Sequence, residues 1–245
     1  MLLHDGLLDR RVWDDQFASF AGLCRTIRYD RRGYGNSSAP DRPFSDISDL
    51  HRLLRYLGTD KACLLGMSNG GVVALEFALD HPGVVAALVL TGPNLGGYRP
   101  SKEKQRRVSE ILSVARERGT EAGVEAWMED PFYLPSKERP TARAMVRRMA
   151  RENLPRLLST PGFREEPEPP IMENLSQIVA PTLVIVGVRD DRDNLEIASI
   201  LADRLPRTDK KLFAGCGHLV NLERPEEFYS VVVDFLNTQC NLSEG

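Results

Sequence analysis

Gly66-Met67-Ser68-Asn69-Gly70 sets a serine between two glycines, after the apolar run Ala62-Cys63-Leu64-Leu65 and before the helical stretch Gly71 to Leu79. A serine in that setting is a candidate nucleophile on a strand-to-helix turn. The turn is too tight for side chains at its flanks, so Gly66 and Gly70 are the residues it requires. The N–H groups that open the following helix face the serine and stabilise negative charge developing there. With glycine at about 7% and serine similar, chance alone yields the pentad in roughly every tenth chain of this length. The serine therefore needs partners elsewhere in the chain before it signifies a reaction.

A serine hydroxyl is a weak nucleophile until a base takes its proton, and the base must itself be held by a third group. His218, in Ala214-Gly215-Cys216-Gly217-His218-Leu219, is the one histidine of four that follows the last strand pattern. Its glycine-containing loop precedes the final helical segment, where an imidazole reaches the carboxyl edge of a parallel sheet. The third group should fix the imidazole tautomer and stabilise the imidazolium. Asp190, Asp191 and Asp193 all lie within reach beyond the strand that ends at Gly187. Asp190 is nearest the strand end and is the expected acid, whereas Asp193 suits the cap of the next helix.

A developing oxyanion needs two converging N–H donors. The backbone of Asn69, directly after the serine, supplies one. The loop His4-Asp5-Gly6-Leu7 supplies the other through Gly6, whose lack of a side chain lets a carbonyl approach. His4 is expected to order this loop by hydrogen bonding rather than to move protons. Trp127, Phe132 and Tyr133, with Met128, Met145 and Met149, are candidates either for an apolar substrate pocket or for packing among their own helices. Arg143, Arg147 and Arg151 recur every four residues and read as a solvated cationic face.

The elements that must position these groups alternate. Strand patterns at 1–3, 24–29, 61–66, 84–90, 182–187 and 211–213 are separated by helical patterns at 12–23, 46–57, 69–80, 194–204 and 225–237. Such alternation implies an α/β fold with a mostly parallel sheet flanked by helices. Residues 95–170 carry no strand-like run. They show helical periodicity over 102–118, 121–129 and 140–158, and Pro167, Pro169 and Pro170 close the block. The expected organisation is a core of residues 1–94 and 171–245 interrupted by a helical lid at 95–170.

Taken together, Leu3-His4-Asp5-Gly6, Trp13-Asp14, Asp30-Arg31-Arg32-Gly33-Tyr34-Gly35-Asn36-Ser37, Gly66 to Gly71, Gly187-Val188-Arg189-Asp190 and Gly217-His218 resemble the α/β-hydrolase superfamily. The likeness is to its lidded esterase, lactonase and C–C hydrolase branch, including the 3-oxoadipate enol-lactonase-like enzymes. The resemblance implies Ser68 as nucleophile, His218 as base, Asp190 as its acid, and Gly6 with Asn69 as oxyanion donors. It also implies hydrolysis of an ester or lactone through an acyl-enzyme, with no cofactor. Amide or C–C bond cleavage by the same groups, and a slow-turnover receptor, are the alternatives. Two features depart from the pattern. The family usually carries a two-strand hairpin before the strand leading into His4, which is apparently missing here; 24–29 would then be an exposed edge inviting a homo-oligomer. Asp5 stands where the family more often has a small or apolar residue, placing a carboxylate beside a candidate oxyanion donor.

Composition narrows the remaining classes. The chain has 245 residues, 42% hydrophobic and 27% charged, enough for one large core. A net charge of −3 gives no reason to expect nucleic acid or an anionic membrane as partner. Cys24, Cys63, Cys216 and Cys240 are widely spaced with no C-x-x-C pair, which predicts reduced thiols and a cytoplasmic location. The purely apolar run from Val84 to Leu90 is too short to span a bilayer. No metal-ligand spacing and no phosphate-cradling glycine loop occurs, so no metal or cofactor is expected; a small-molecule ester or lactone as partner is what the resemblance implies.

Overall fold

Ala62–Met67, Val85–Thr91 and Thr182–Gly187 are apolar at both odd and even positions, the pattern of strands covered by helices on both faces. In the computed structural model, which describes residues 1–133, 139–159 and 162–240, these are β2, β3 and β4 of a five-stranded parallel sheet. Leu2–Leu3 (β1) and Thr208–Phe213 (β5) complete it, and the strands lie side by side in chain order. The register sets Leu3 beside Gly66, Met67 beside Thr91, Thr91 beside Ile185 and Gly187 beside Phe213. The carboxyl ends of all five strands therefore share one edge, where the loops carrying Asp5, Ser68, Asp190 and His218 emerge.

Alternation along the strands divides the interior. Leu65, Met67, Val89 and Ile185 point into one core with Phe20 of α1 (Asp14–Ala21) and Phe228 and Val232 of α9 (Pro225–Cys240). Leu64, Leu88, Leu90 and Val184 point into the other, against α2 (Asp46–Tyr56), α3 (Asn69–Asp80) and α7 (Arg192–Arg204). Ser45 opens α2 with its hydroxyl accepting the Ser48 N–H at 3.2 Å, a local cap that satisfies an orphan donor. The cap of α7 is Asp191, which accepts the Asp193 N–H at 2.8 Å. Asp193 is thus inside the helix, and its carboxylate accepts the Ser101 N–H at 2.8 Å instead.

Between β3 and β4 stand α4 (Lys102–Arg118), α5 (Thr120–Met128) and α6 (Pro140–Ser159). Val124, Trp127, Met128, Val146 and Met149 join the first core, with Met145 packed at its margin. The arginine row on α6 faces α5 rather than solvent alone. Arg147 pairs with Glu125 at 2.8 Å, Arg151 pairs with Glu121, and Arg143 donates to the Met128 carbonyl at 3.1 Å.

Two local expectations change. The predicted helix at 12–23 divides into a 3-10 turn, Arg10–Trp13, and α1, with Asp9 accepting the Arg11 N–H at the start. Residues 24–29 make only one bridge, Arg28 beside Leu2, with the Leu2 N–H donating to the Ile27 carbonyl at 2.9 Å. β1 is two residues long, so it offers too little ladder for a longer partner. Arg28 is also drawn sideways by Asp14 and lies 4.3 Å from the Phe17 ring centroid. Among the described residues no helix is long and apolar enough to cross a membrane.

Candidate active site

β2 stops at Met67 and α3 begins at Asn69, leaving Ser68 at φ 51°, ψ −114°. Ser68 is the one non-glycine residue with positive φ among the described residues. Such a backbone costs on the order of 1–3 kcal/mol and persists only where its surroundings over-determine it. Here the Ser68 N–H donates to the Thr91 carbonyl at 3.0 Å, and the Ser68 carbonyl accepts the Gly71 N–H at 2.9 Å and the Asn94 N–H at 3.2 Å. The side chain of Asn94 is a second tie: its Nδ2 donates to Ser68 Oγ at 3.3 Å and to Asn69 Oδ1 at 2.6 Å. Sequence reasoning missed Asn94. The available signal was its place three residues beyond a strand end on the sheet's carboxyl edge.

His218 reaches the same edge from the β5–α8 loop, where α8 is Val220–Glu223. The loop is held by the Gly217 N–H to Glu223 Oε1 at 2.7 Å and the His218 N–H to the Phe132 carbonyl at 2.9 Å. Its Nδ1 lies 3.0 Å from Asp190 Oδ2 and 3.2 Å from Oδ1. The opposite nitrogen, Nε2, lies 3.6 Å from Asp5 Oδ2, and no hydrogen bond joins it to Ser68 Oγ. Burial disfavours a charged imidazole, yet the charge and hydrogen bond of Asp190, with those of Asp5, outweigh it and push the pKa up to about 10. Asp5 is buried, which opposes its charge, but His218 and the Leu7 N–H hold its pKa below the ordinary value.

His4 plays the ordering part expected of it. Its Nε2 accepts the Arg31 N–H at 2.9 Å, so Nδ1 carries the proton and donates to the Asp5 carbonyl at 2.8 Å. Burial, then the Arg31 charge, lowers its pKa to about 4 and keeps it neutral. Arg31 also donates to the Asp5 carbonyl at 3.1 Å. Gly6 follows directly, so close to Asn69 that a Cβ there would stand 2.1 Å from Asn69 Nδ2. The residues that carry the two candidate oxyanion donors are therefore neighbours, and among the described residues neither N–H is spent on a backbone carbonyl.

Ser68, Asp190 and His218 line one cavity of about 250 Å³ with Trp127, Phe132 and Tyr133. Leu7, Val108, Ile111, Leu112, Leu154 and Leu157 make most of the remaining wall apolar. The ring of Tyr133 lies 4.1 Å from Trp127 and 5.1 Å from His218, centroid to centroid. Met128, Met145 and Met149 are not among the wall residues and belong to helix packing. Two cations border the cavity, and both are engaged. Arg107 pairs with Asp130 at 2.8 Å and with Asp191, and Lys104 donates to Asn194 Oδ1 at 2.6 Å. A larger groove of about 470 Å³ beside β1 contains none of the candidate reactive side chains.

Residues 1–231 match the alpha/beta hydrolase family model. The chain belongs to the alpha/beta hydrolase family. Within it, a 2-hydroxy-6-oxononadienedioate/2-hydroxy-6-oxononatrienedioate hydrolase of Burkholderia vietnamiensis is 30% identical over 232 residues, covering 91% of this chain and 79% of the relative. A thermophilic esterase from Thermogutta terrifontis superposes with a TM-score of 0.78 at 26% identity, covering 97% of this chain and 88% of the esterase. The enol-lactonase of Burkholderia xenovorans LB400 shares the fold at a TM-score of 0.79 and 24% identity, over 96% of this chain and 90% of the other. The α/β-hydrolase fold read from the motif order is thus the family's fold.

Proposed function

We propose that this alpha/beta hydrolase cleaves a carboxylic ester or lactone through an acyl-enzyme on Ser68, without a cofactor. The observation that carries the reading is the strained Ser68 backbone at the wall of the cavity that also receives Asp190 and His218. In the reaction, Ser68 Oγ attacks the carbonyl carbon while His218 Nε2 takes the hydroxyl proton. Asp190, on Nδ1, keeps the other nitrogen protonated and balances the imidazolium. The carbonyl oxygen, now anionic, lies between the N–H groups of Gly6 and Asn69. His218 returns its proton to the leaving oxygen, and a water then repeats the sequence to free the acid.

The apolar wall suits a hydrocarbon acyl or alkyl group, with Trp127, Phe132 and Tyr133 as its contacts. We take α4 to α6, within residues 95–170, as the lid that brings these side chains over Ser68. A dianionic substrate, like the dienedioate in the name of the Burkholderia relative, fits this wall less well. Arg107 and Lys104 are already occupied by protein partners, and among the described residues lining the cavity a second carboxylate would meet no free cation.

A fluorophosphonate probe and p-nitrophenyl butyrate test the reading together. The expected result is covalent labelling at Ser68 and ester turnover, both lost in Ser68→Ala. Turnover that survives in Ser68→Ala, or a label on another residue, overturns it.

A further inference from the structure

The imidazole of His218 has carboxylates at both nitrogens. Asp190 takes Nδ1 at 3.0 Å, and Asp5 Oδ2 stands 3.6 Å from Nε2, the nitrogen that a serine reaction requires to face Ser68. Asp5 is not free to leave. Its Oδ1 accepts the Leu7 N–H at 2.7 Å, and its carbonyl is held by His4 and Arg31. The same loop places Gly6 against Asn69, so the carboxylate is fixed to the segment that carries a candidate oxyanion donor.

We propose that Asp5 is a positioning residue that competes with Ser68 for Nε2 of His218 and so sets the pH at which Ser68 becomes a nucleophile. The inference rests on the serine-hydrolase reading above and deepens it. With a proton on each ring nitrogen, His218 donates toward Asp190 on one side and Asp5 on the other, and it has no lone pair for the serine proton. Loss of the Nε2 proton to solvent removes the attraction to Asp5 and exposes that lone pair toward Ser68. The neutral base then accepts the Ser68 proton as the Oγ–carbonyl bond forms, and the charge balance of a serine reaction is restored.

The other groups around the imidazole do not cancel this pull. From the β4–α7 loop come Asp190 and Asp191, the latter paired with Arg107 of α4. Arg107 also binds Asp130, so its charge is spent on two acids. From the segment after α5 comes Tyr133, whose buried hydroxyl faces the Asp5 carboxylate and whose pKa is raised well above the ordinary value by burial and then by the Asp5 charge. It stays a neutral phenol beside the carboxylate. Lys104 is engaged by Asn194. Ser68 and Asn94 complete the surroundings as neutral groups. The ring thus faces Asp5 and Asp190 directly, with no unengaged cation among the described residues to offset them.

The test uses Asp5→Asn, which keeps the Oδ1 acceptor for the Leu7 N–H and removes the charge. The pH profile of kcat/KM for p-nitrophenyl butyrate is measured alongside an NMR titration of the His218 imidazole nitrogens. Asp5→Asn should move the kinetic limb and the imidazole midpoint to lower pH by at least about one unit, raising turnover near neutrality about tenfold. Superimposable profiles and titrations for the two proteins would overturn the proposal. The titration is repeated in Ser68→Ala and in the double variant. If esterase activity is absent or independent of Ser68, the serine reading falls. The imidazole shift then still decides whether Asp5 acts on His218.

Discussion

A Cβ on Gly66 would stand 2.5 Å from the carbonyl oxygen of Gly70, and one on Gly70 would stand 2.3 Å from the carbonyl oxygen of Leu3. β1, the Ser68 turn and the first turn of α3 are therefore in backbone contact, with no flexible side chain to give way. Gly70→Ala should destabilise the fold by about 3 kcal/mol, the upper part of the range for overpacking. Gly83→Ala, with nothing within 4 Å of its Cβ, should be neutral or slightly stabilising. Chemical denaturation of the two variants checks this; equal, small effects would mean that the contact relaxes.

The three aspartates after β4 divide their work by geometry. Asp190→Asn should lower kcat by about 10⁴-fold with folding unchanged, because Nδ1 loses its acceptor and the imidazole its tautomer control. Asp191→Ala should instead cost about 1 kcal/mol of stability through the cap of α7, with a smaller effect on turnover. Paired kinetics and melting curves separate the two. A large loss of turnover in Asp191→Ala with little in Asp190→Asn would reverse the assignment.

This division was only half legible in the sequence. Reach from Gly187 admitted three acids, and nearness to the strand end favoured the one that meets His218. The cap was misread by two residues because Asp191 and Asp193 both precede a helical pattern, and only the backbone turn decides which side chain folds back. The sheet was readable from its apolar runs, since strands buried on both faces leave a strong local signal. The segment 24–29 was not, because its strand character depended on how much of β1 was there to pair with it. Asp5 was visible as a departure from the resemblance. Its meeting with His218, more than two hundred residues on, depends on the sheet bringing both loops to one edge. Asn94 carried no motif, only its place three residues beyond the end of β3.

Arg164 is the hinge of a buried ionic cluster. It pairs with Asp46 at 2.9 Å and Glu76 at 2.6 Å, both carboxylates being nearly inaccessible. Asp46 also keeps Arg31 at 3.2 Å, but Glu76 has no second cation among the described residues. Burial raises the Glu76 pKa to about 7 even with Arg164 present. Arg164→Ala should therefore cost about 3 kcal/mol at mildly alkaline pH, where an uncompensated buried charge remains. Adding Glu76→Gln should recover part of that loss, and a double-mutant cycle by urea denaturation measures the coupling. Additive losses would mean that Glu76 does not depend on Arg164.

The same imidazole that must lose its proton in the proposed reaction stabilises the fold while it keeps it. His218 has its pKa raised from 6.5 to about 10 in the folded protein. The folded state thus binds the proton more tightly than the unfolded chain, and the stabilisation is present in full below about 6.5. It is lost progressively as pH rises through about 10. Glu76, raised from 4.5 to about 7, contributes a loss of the same sign that is nearly complete by then. Cys63, raised from 9.0 to about 12, adds another at the alkaline end. The buried Met1 amine, lowered from 8.0, works in the opposite direction. The His218 contribution is therefore read as a difference between wild type and His218→Gln, most cleanly between about pH 7 and 9. Wild-type stability should fall with pH relative to the variant over that window, while ester turnover rises. Parallel stability curves for the two proteins would show that His218 carries no such linkage, and the opposition between folding and turnover would be absent.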